Sequence, residues 1–196
     1  MNVALLLGRK GSKGFPGKNL LPVFGNPLAY YPMQTALNVP SIDEVFVSTD
    51  CEHLLKLAKS LGVKTIDRPE ELASDQALGD DAFEHGYREI CQYLGVKPTL
   101  LSLMFCNCAT ITSRAIQEGI DLLSIDNTAD SAVAVSRYNM WSPLRARKLT
   151  GEGILTPFVP FETFGDPATL NCDRDSQGDV WFADMGCSVV RARCLE

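Results

Sequence analysis

A glycine-rich, basic segment near the N-terminus is the part of the sequence best suited to chemistry. It runs from Leu7 to Asn19 and reads LGRKGSKGFPGKN, with a glycine at every third position. Glycine lets backbone N–H groups approach a ligand closely and adopt positive φ, so such a loop can form a concave nest of donors around phosphate oxygens. Four cations that could offset phosphate charge are interleaved with the glycines: Arg9, Lys10, Lys13 and Lys18. The segment therefore predicts a phosphate-binding loop.

The charge distribution of the chain also favours a small polyanion as the ligand. The formal net charge is −6 at pH 7, which argues against a nucleic-acid partner that needs a broadly basic surface. Residues 1–42 nevertheless carry a charge of +4, because they contain no Asp or Glu, and the rest of the chain carries −10. An acidic protein that keeps one short loop positive is expected to bind a small anion there.

The loop matches neither of the two common phosphate-loop templates. A Walker A loop needs glycine where Ser12 stands and Ser or Thr where Asn19 stands. The dinucleotide fingerprint GxGxxG needs its second glycine where Lys10 stands. The alternative to a phosphate-binding loop is a flexible basic turn that is solvated and binds no ligand. The position directly after an apolar run favours ligand binding, because open parallel sheets bind ligands at the carboxyl ends of their strands.

Strands and helices are predicted to alternate around this loop. Apolar runs predict buried strands at residues 3–7, 45–49, 64–66, 100–105, 131–136 and 187–190. A helix is predicted from Asn26 and Pro27 to about residue 38, although Pro32 inside it predicts a kink or a shifted start. Further helices are predicted after a capping box of Thr49 with Glu52, from about residue 83 to 94, and over 113–123. Residues 68–80 are predicted to form an ordered surface loop. This pattern predicts an α/β protein with three layers, in which helices cover both faces of a mainly parallel sheet.

Composition indicates one globular domain over residues 1–196. The chain is 45% hydrophobic and 21% charged, and no apolar run approaches the roughly 20 residues that cross a bilayer. The first residues lack a signal-peptide pattern, so we expect a cytoplasmic protein without membrane contact. The seven cysteines are scattered without a CxxC pair, so we expect them to be structural rather than zinc ligands or disulfides.

Four motifs occur in an order that is typical of one known family. The loop is followed by VFVSTD at 45–50, RPEELASD at 68–75 and SPLRA at 142–146. With them the sequence resembles the CMP-sialic acid synthetases, the acylneuraminate cytidylyltransferases, whose loop reads ARGGSKGIPGKN. The resemblance implies a glycosyltransferase-A-like nucleotide-diphospho-sugar transferase fold. It also implies transfer of CMP from CTP to a 2-keto-3-deoxy sugar acid, such as a sialic acid-like nonulosonic acid, with release of pyrophosphate and with Mg²⁺ as cofactor.

The resemblance also implies roles for individual residues. Arg9 and Lys18 would be catalytic, because in-line attack at the α-phosphate spreads negative charge that positioned cations stabilise. The other nucleotide-binding residues would be Gly8, Gly11, Ser12, Lys13, Asn19, Arg68 and Asp75. A solvent-exposed charge is the alternative for Arg68, and a helix cap is the alternative for Asp75.

The residues expected to bind the sugar acid are Asn107, Arg145 and Gln177. Asn107 is the only amide near the place where the family has a glutamine, and Arg145 supplies a cation for a carboxylate. Gln177, or Arg174 beside it, could replace an arginine that this chain lacks at ADMG, residues 183–186. Gly79 stands where the family has a serine that recognises the nucleotide, so the identity of the base is left open.

The motifs above do not identify the metal ligands or the acceptor. The family has an Asp-x-Asp pair for Mg²⁺, which we expect beyond Glu196 together with a closing helix. Asp173 and Asp175 have the same spacing but a different place in the motif order. Two alternatives follow: a nucleotidyltransferase of the same fold that uses another base or a sugar 1-phosphate, or a non-catalytic nucleotide-binding protein.

Residues 138–184 break the alternation of strands and helices. They are rich in Pro and Gly and contain the aromatic residues Trp141, Phe158, Phe161 and Phe164. A segment this aromatic is not expected to stay in water. By the family resemblance we expect it to be a dimerisation arm of a homodimer, and a flap that covers the core is the alternative.

Overall fold

The computed structural model describes residues 1–12, 14–171, 173 and 178–196. Contacts divide the chain into two compact units. The first consists of Met1–Ala134 with Met185–Glu196, and the second is Val135–Asp184. Four residues named in the sequence analysis lie outside the described residues: Lys13, Arg174, Asp175 and Gln177.

A six-stranded sheet forms the centre of the first unit. The strands of the chain are β1 Asn2–Leu7, β2 Pro22–Val23, β3 Asn26–Pro27, β4 Glu44–Thr49, β5 Lys64–Asp67, β6 Leu100–Phe105, β7 Ser131–Arg137, β8 Arg147–Leu149, β9 Leu155–Pro157 and β10 Trp181–Arg191. The order in the sheet is β5-β4-β1-β6-β10-β7. β1 pairs in parallel with β4 and β6, and β4 with β5, whereas β10 runs antiparallel to β6. The mainly parallel sheet predicted from the alternation is confirmed.

Helices cover both faces of this sheet. They are α1 Tyr30–Leu37, α2 Glu52–Ser60, α3 Glu70–Ala73, α4 Gly79–Leu94 and α5 Ser113–Ile125. Alternate residues of the central strands face opposite ways, so each strand contributes to two cores. One core joins α1, α2 and α5 to the sheet, and the other joins α4 to the opposite face. The three-layer α/β class is therefore confirmed.

The first helix begins after Asn26 and Pro27, in agreement with the shifted start that Pro32 allowed. Asn26 and Pro27 do not open it but form β3, which pairs with β2 across a tight turn. Phe24 and Gly25 in that turn both have positive φ, 46° and 87°. The helix starts at Tyr30, so Pro32 lies in the first turn, where its missing N–H would have had no helical acceptor.

Two other local predictions were wrong. Thr49 ends β4 instead of capping α2, and its hydroxyl accepts a hydrogen bond from the N–H of Cys51 at 3.0 Å. The helix begins at Glu52 without a side-chain cap. Residues 68–80 are not a loop throughout, because they contain α3 and the first residues of α4.

The second unit contains the short β8–β9 hairpin and three single 3-10 turns. Within it, the rings of Tyr138 and Phe182 meet edge to face, and the guanidinium of Arg147 lies over the ring of Phe161. Trp141 and Phe158 remain more than half exposed.

In the described part of the chain, no helix has the length and hydrophobicity of a membrane span. Six cysteines are described, and all six are free thiols.

Candidate functional site

A cleft of about 220 Å³ opens in the first unit at the carboxyl ends of β1, β5 and β6. From β1 the chain adds β4 and then β5 on one side of the sheet. It then adds β6 on the other side of β1, so the strand order reverses direction at β1. Open α/β sheets bind ligands at such a switch point. Eight of the residues predicted from the sequence line this cleft: Gly8, Arg9, Gly11, Ser12, Lys18, Asn19, Arg68 and Asn107.

The lining of the cleft is positively charged. Arg9, Lys18 and Arg68 are its ionisable side chains, and none of the described lining residues is acidic. Leu72, Leu78, Ala82 and Phe105 add an apolar part to the lining. A ligand that combines anionic groups with a flat ring suits both parts.

Gly8 ends β1 and forms part of the floor of the cleft. Its N–H donates to the backbone oxygen of Ser48 at 3.2 Å. A Cβ at this position would lie 2.6 Å from Sγ of Cys106 and 3.0 Å from Cδ1 of Leu54. These contacts are too short to form, so close packing requires glycine here. Gly11, by contrast, has no atom within 4 Å of the Cβ it lacks, which leaves its backbone open to a ligand.

Arg9 is held by the segment that follows α3. Its Nη1 donates to the backbone oxygen of Ser74 at 2.8 Å and lies 2.9 Å from Oδ1 of Asp75. Arg9 and Asp75 were both expected to bind the nucleotide, but the structure joins them to each other. A carboxylate repels phosphate, so Asp75 is suited to orient Arg9 rather than to hold phosphate, and its role toward the nucleotide stays a prediction.

Asn19 is buried beside Lys18 and fixes the start of the loop. Its Nδ2 donates to the backbone oxygen of Arg9 at 3.1 Å, and because a carbonyl can only accept, this contact sets the orientation of the amide. Oδ1 is buried and has no hydrogen-bond partner among the residues that the structure describes. A buried acceptor without a partner costs about 1–3 kcal/mol, so Asn19 is suited to accept a hydrogen bond from a ligand in the cleft.

Arg68 is a buried cation at the end of β5. Its side chain is only 8% exposed, so the alternative of a solvent-exposed charge is wrong. Nε donates to Oγ of Ser48 at 3.1 Å, and Nη2 donates to the backbone oxygen of the same serine. Burial lowers the pKa of Arg68, but an arginine remains protonated at neutral pH. Within the described residues no carboxylate lies within ion-pair distance of its guanidinium.

Asn107 is exposed just after β6, where the sequence analysis expected a group that contacts the sugar acid. The residue before it, Cys106, is fully buried, and burial raises the pKa of its thiol to about 12. This thiol is neutral at physiological pH and serves as packing below Gly8. The cysteine therefore behaves as the structural residue that its sequence context predicted.

Besides Asp75, which contacts Arg9 without lining the cleft, three predicted residues are not placed there. Arg145 lies in the 3-10 turn Pro143–Arg145 of the second unit. Lys13 and Gln177 lie outside the described residues, as does the Asp175 member of the candidate metal pair.

Mg²⁺ as a cofactor stays a prediction of the family resemblance. No group of three or more His, Cys, Asp or Glu side chains in the described residues is arranged to hold a metal without a ligand. Mg²⁺ in nucleotide sites usually takes only one or two carboxylates together with substrate phosphates. Asp50 and Asp75 both contact the loop: Asp50 accepts a hydrogen bond from the N–H of Lys10 at 2.7 Å, and Asp75 pairs with Arg9.

Ser48 is a site residue that the sequence analysis missed. It was read only as part of a buried strand, but it contacts both Gly8 and Arg68. The signal was present in VFVSTD, where two hydroxyl residues end an otherwise apolar run.

Comparison with known structures agrees with this architecture. CMP:2-keto-3-deoxy-manno-octonic acid synthetase, solved in complex with CTP, superimposes with a TM-score of 0.70 at 19% identity, over 99% of this chain and 75% of that one. A 4-diphosphocytidyl-2C-methyl-D-erythritol synthase from Anaerococcus prevotii superimposes with a TM-score of 0.62 at 9% identity, over 98% and 70%. The molecule therefore has the nucleotide-diphospho-sugar transferase fold, with a cationic cleft at its switch point.

Sequence comparison gives the family. The Cytidylyltransferase family profile matches residues 3–101, about half of the chain and all of the segment that builds the cleft up to β6. The chain belongs to the cytidylyltransferase family.

Individual relatives match the same region. The N-acylneuraminate cytidylyltransferase of Escherichia coli O18:K1:H7 is 34% identical over 100 residues, which are 50% of this chain and 24% of that one. A bifunctional pseudaminic acid cytidylyltransferase of Helicobacter pylori is 37% identical over 89 residues, 45% of this chain and 17% of that one. The chain thus spans a quarter or less of the length of these curated relatives.

Proposed function

We propose that the cleft binds CTP and that the protein transfers CMP to a 2-keto-3-deoxy sugar acid, releasing pyrophosphate. The observation that carries the proposal is Arg68, a buried cation that lines the cleft without a carboxylate partner among the described residues. Burying a charge is costly unless a counter-charge or acceptor is supplied. A nucleoside triphosphate supplies phosphate oxygens, and its base supplies ring acceptors.

The arrangement of the cleft suits phosphoryl chemistry. Attack of an acceptor hydroxyl on the α-phosphorus forms one P–O bond and breaks the bond to the bridging oxygen, and the electrons leave with pyrophosphate. Negative charge grows on the α-phosphate oxygens and on the leaving group during this step. Arg9 and Lys18 lie where they can stabilise that charge, and the open backbone at Gly11 and Ser12 adds N–H donors.

The choice of acceptor rests on the relatives. Two of them are named for acylneuraminate and pseudaminic acid, and a structural neighbour is named for 2-keto-3-deoxy-manno-octonic acid. All three are sugar acids. We propose that Asn107, which lines the cleft, contacts the acceptor. The pairing of Arg145 with the acceptor carboxylate stays a prediction of the family resemblance.

A panel of substrates tests the proposal. CTP, UTP, GTP and ATP are each incubated with Mg²⁺ and one of three acceptors, N-acetylneuraminic acid, pseudaminic acid or 2-keto-3-deoxy-manno-octonic acid, and pyrophosphate is measured. Release is expected with CTP and one sugar acid. If another triphosphate or a sugar 1-phosphate is used instead, the proposed substrates are wrong but a nucleotidyltransferase remains.

A nucleotide-binding protein without turnover is the second candidate. The cationic lining of the cleft supports binding of a triphosphate whether or not turnover follows. Calorimetry with CTP separates the two candidates. Binding of CTP without pyrophosphate from any acceptor would favour the second candidate, and absence of binding would overturn both.

A further inference from the structure

Ser48 is a fully buried polar residue at the end of β4 that contacts two residues of the cleft. It is 0% exposed. Its Oγ accepts a hydrogen bond from Nε of Arg68 at 3.1 Å, and its backbone oxygen accepts from Nη2 of Arg68 and from the N–H of Gly8. A buried hydroxyl needs such a partner, but an apolar residue of the same size would avoid that need altogether.

These contacts occupy one edge of the guanidinium. Arg68 has five N–H donors in one plane, and the donors on Nε and on the adjacent side of Nη2 both point to Ser48. The edge that remains is formed by Nη1 and the other N–H of Nη2. Two parallel donors on one edge match two adjacent acceptors, such as a pair of phosphate oxygens or two neighbouring acceptors of a base.

We propose that Ser48 is a positioning residue for the nucleotide: by holding the Nε–Nη2 edge of Arg68, it presents the Nη1–Nη2 edge to the ligand in the cleft. This inference rests on the proposed function, because the ligand it serves is CTP. Ser48 itself makes no contact with the nucleotide. It acts by lowering the number of orientations that Arg68 has to lose when the ligand binds.

Calorimetric binding of CTP to four proteins tests this role. Ser48→Ala removes the hydroxyl and keeps the backbone contact, and Ser48→Thr keeps the hydroxyl. Ser102→Ala is the matched control, because Ser102 is a buried serine on β6 that does not line the cleft. Ser48→Ala should weaken CTP binding by up to about tenfold, which is the cost of ordering one long side chain when the ligand binds. Ser48→Thr should recover most of the loss, and Ser102→Ala should bind as the wild type does.

A double-mutant cycle with Arg68→Met separates positioning from a general structural role. If Ser48 acts through Arg68, adding Ser48→Ala to Arg68→Met should not weaken CTP binding further. An equal loss in both backgrounds would overturn the inference, as would unchanged CTP binding by Ser48→Ala.

The Nε–H resonance of Arg68 reports on the same contact without a nucleotide. It is assigned by its absence from the Arg68→Met spectrum, and its exchange with water should be slow in the wild type and faster in Ser48→Ala. Unchanged exchange would overturn the inference even if CTP binds. If the wild type binds no CTP, the proposed function fails and the inference fails with it, whereas loss of binding confined to Ser48→Ala supports both.

Discussion

At the scale of residues, the cations of the loop are not equivalent. Lys18 lines the cleft, while Lys10 is exposed, does not line it, and contacts Asp50 only through its backbone N–H. Residue types alone did not distinguish the four cations of the loop, because their roles depend on which side chains the fold turns toward the strand ends. The family resemblance did distinguish them, since it implied roles for Arg9, Lys13 and Lys18 and none for Lys10.

Lys18→Met should lower the rate of pyrophosphate release about 100-fold, because it removes one preorganised cation from the developing charge. Lys10→Met is the matched control and should stay within about threefold of the wild type, as expected for an exposed charge that is screened by solvent. Steady-state rates with CTP and the accepted sugar acid measure both. Equal losses in the two variants would show that the loop acts only through its net charge.

Cys106 predicts a pH dependence of stability. The pKa of its thiol is raised by burial from the ordinary 9.0 to about 12, so the folded state favours the neutral form. The stability from this group is complete below pH 9 and is lost as pH rises from about 9 toward 12, by about 1.4 kcal/mol for each pH unit. Urea unfolding of the wild type at pH 8, 9 and 10 should show the decline.

Two variants test whether Cys106 causes this decline of stability with pH. Cys106→Ala should be less stable at pH 8 because it leaves a cavity, but its stability should fall less steeply above pH 9. Cys194→Ala, at an exposed cysteine, should keep the slope of the wild type. An unchanged slope in Cys106→Ala would assign the decline to other groups, among them Tyr87, whose pKa is also raised by burial.

At the scale of elements, the sequence predicted the strands better than the turns. β1, β4 and β6 are continuous apolar runs because both faces of a parallel sheet are covered, and such runs are visible in a sequence. The residue at which α1 starts was not predicted, because the β2–β3 turn uses positive φ at Phe24, a residue that carries no turn signal. The contact of Arg9 with Ser74 and Asp75 joins residues more than 60 positions apart, which no local pattern could predict.

Close packing of α4 on β1 depends on Gly86. A Cβ at Gly86 would lie 2.7 Å from Cδ2 of Leu5, so Gly86→Ala should lower the free energy of unfolding by about 1–3 kcal/mol. Gly79→Ala, at the first residue of the same helix, meets nothing within 4 Å and should be neutral or slightly stabilising. Thermal and urea unfolding compare the two. A Gly86→Ala protein as stable as Gly79→Ala would show that Leu5 moves aside without cost.

At the scale of the whole molecule, the first unit contains the cleft, and the second unit carries exposed aromatic side chains. Trp141 and Phe158 are 69% and 63% exposed, and Trp181 is 58% exposed. Several large exposed aromatic side chains within one segment suit an interaction surface. We propose, as the family resemblance implied, that the second unit forms the contact between two copies of the chain.

Light scattering after gel filtration tests this proposal. The wild type should have twice the mass of one chain, and Trp141→Ser with Phe158→Ser should shift the equilibrium toward the monomer, because burial of such side chains contributes most of the binding energy of an interface. Tyr93→Ser, which changes an exposed aromatic residue of the first unit, is the control and should leave the mass unchanged. A monomeric wild type would contradict the proposal.

The pairing of Arg9 with Asp75 has a consequence for how the cleft takes up its ligand. The empty protein already supplies an internal counter-ion to one of its cations. A triphosphate that engages Arg9 exchanges with a carboxylate of the protein as well as with ions from solution. Part of the electrostatic gain is then used to separate Arg9 from Asp75, and fewer ions are released to the solvent than three cations would suggest. CTP affinity should therefore fall less steeply with salt in the wild type than in Asp75→Asn.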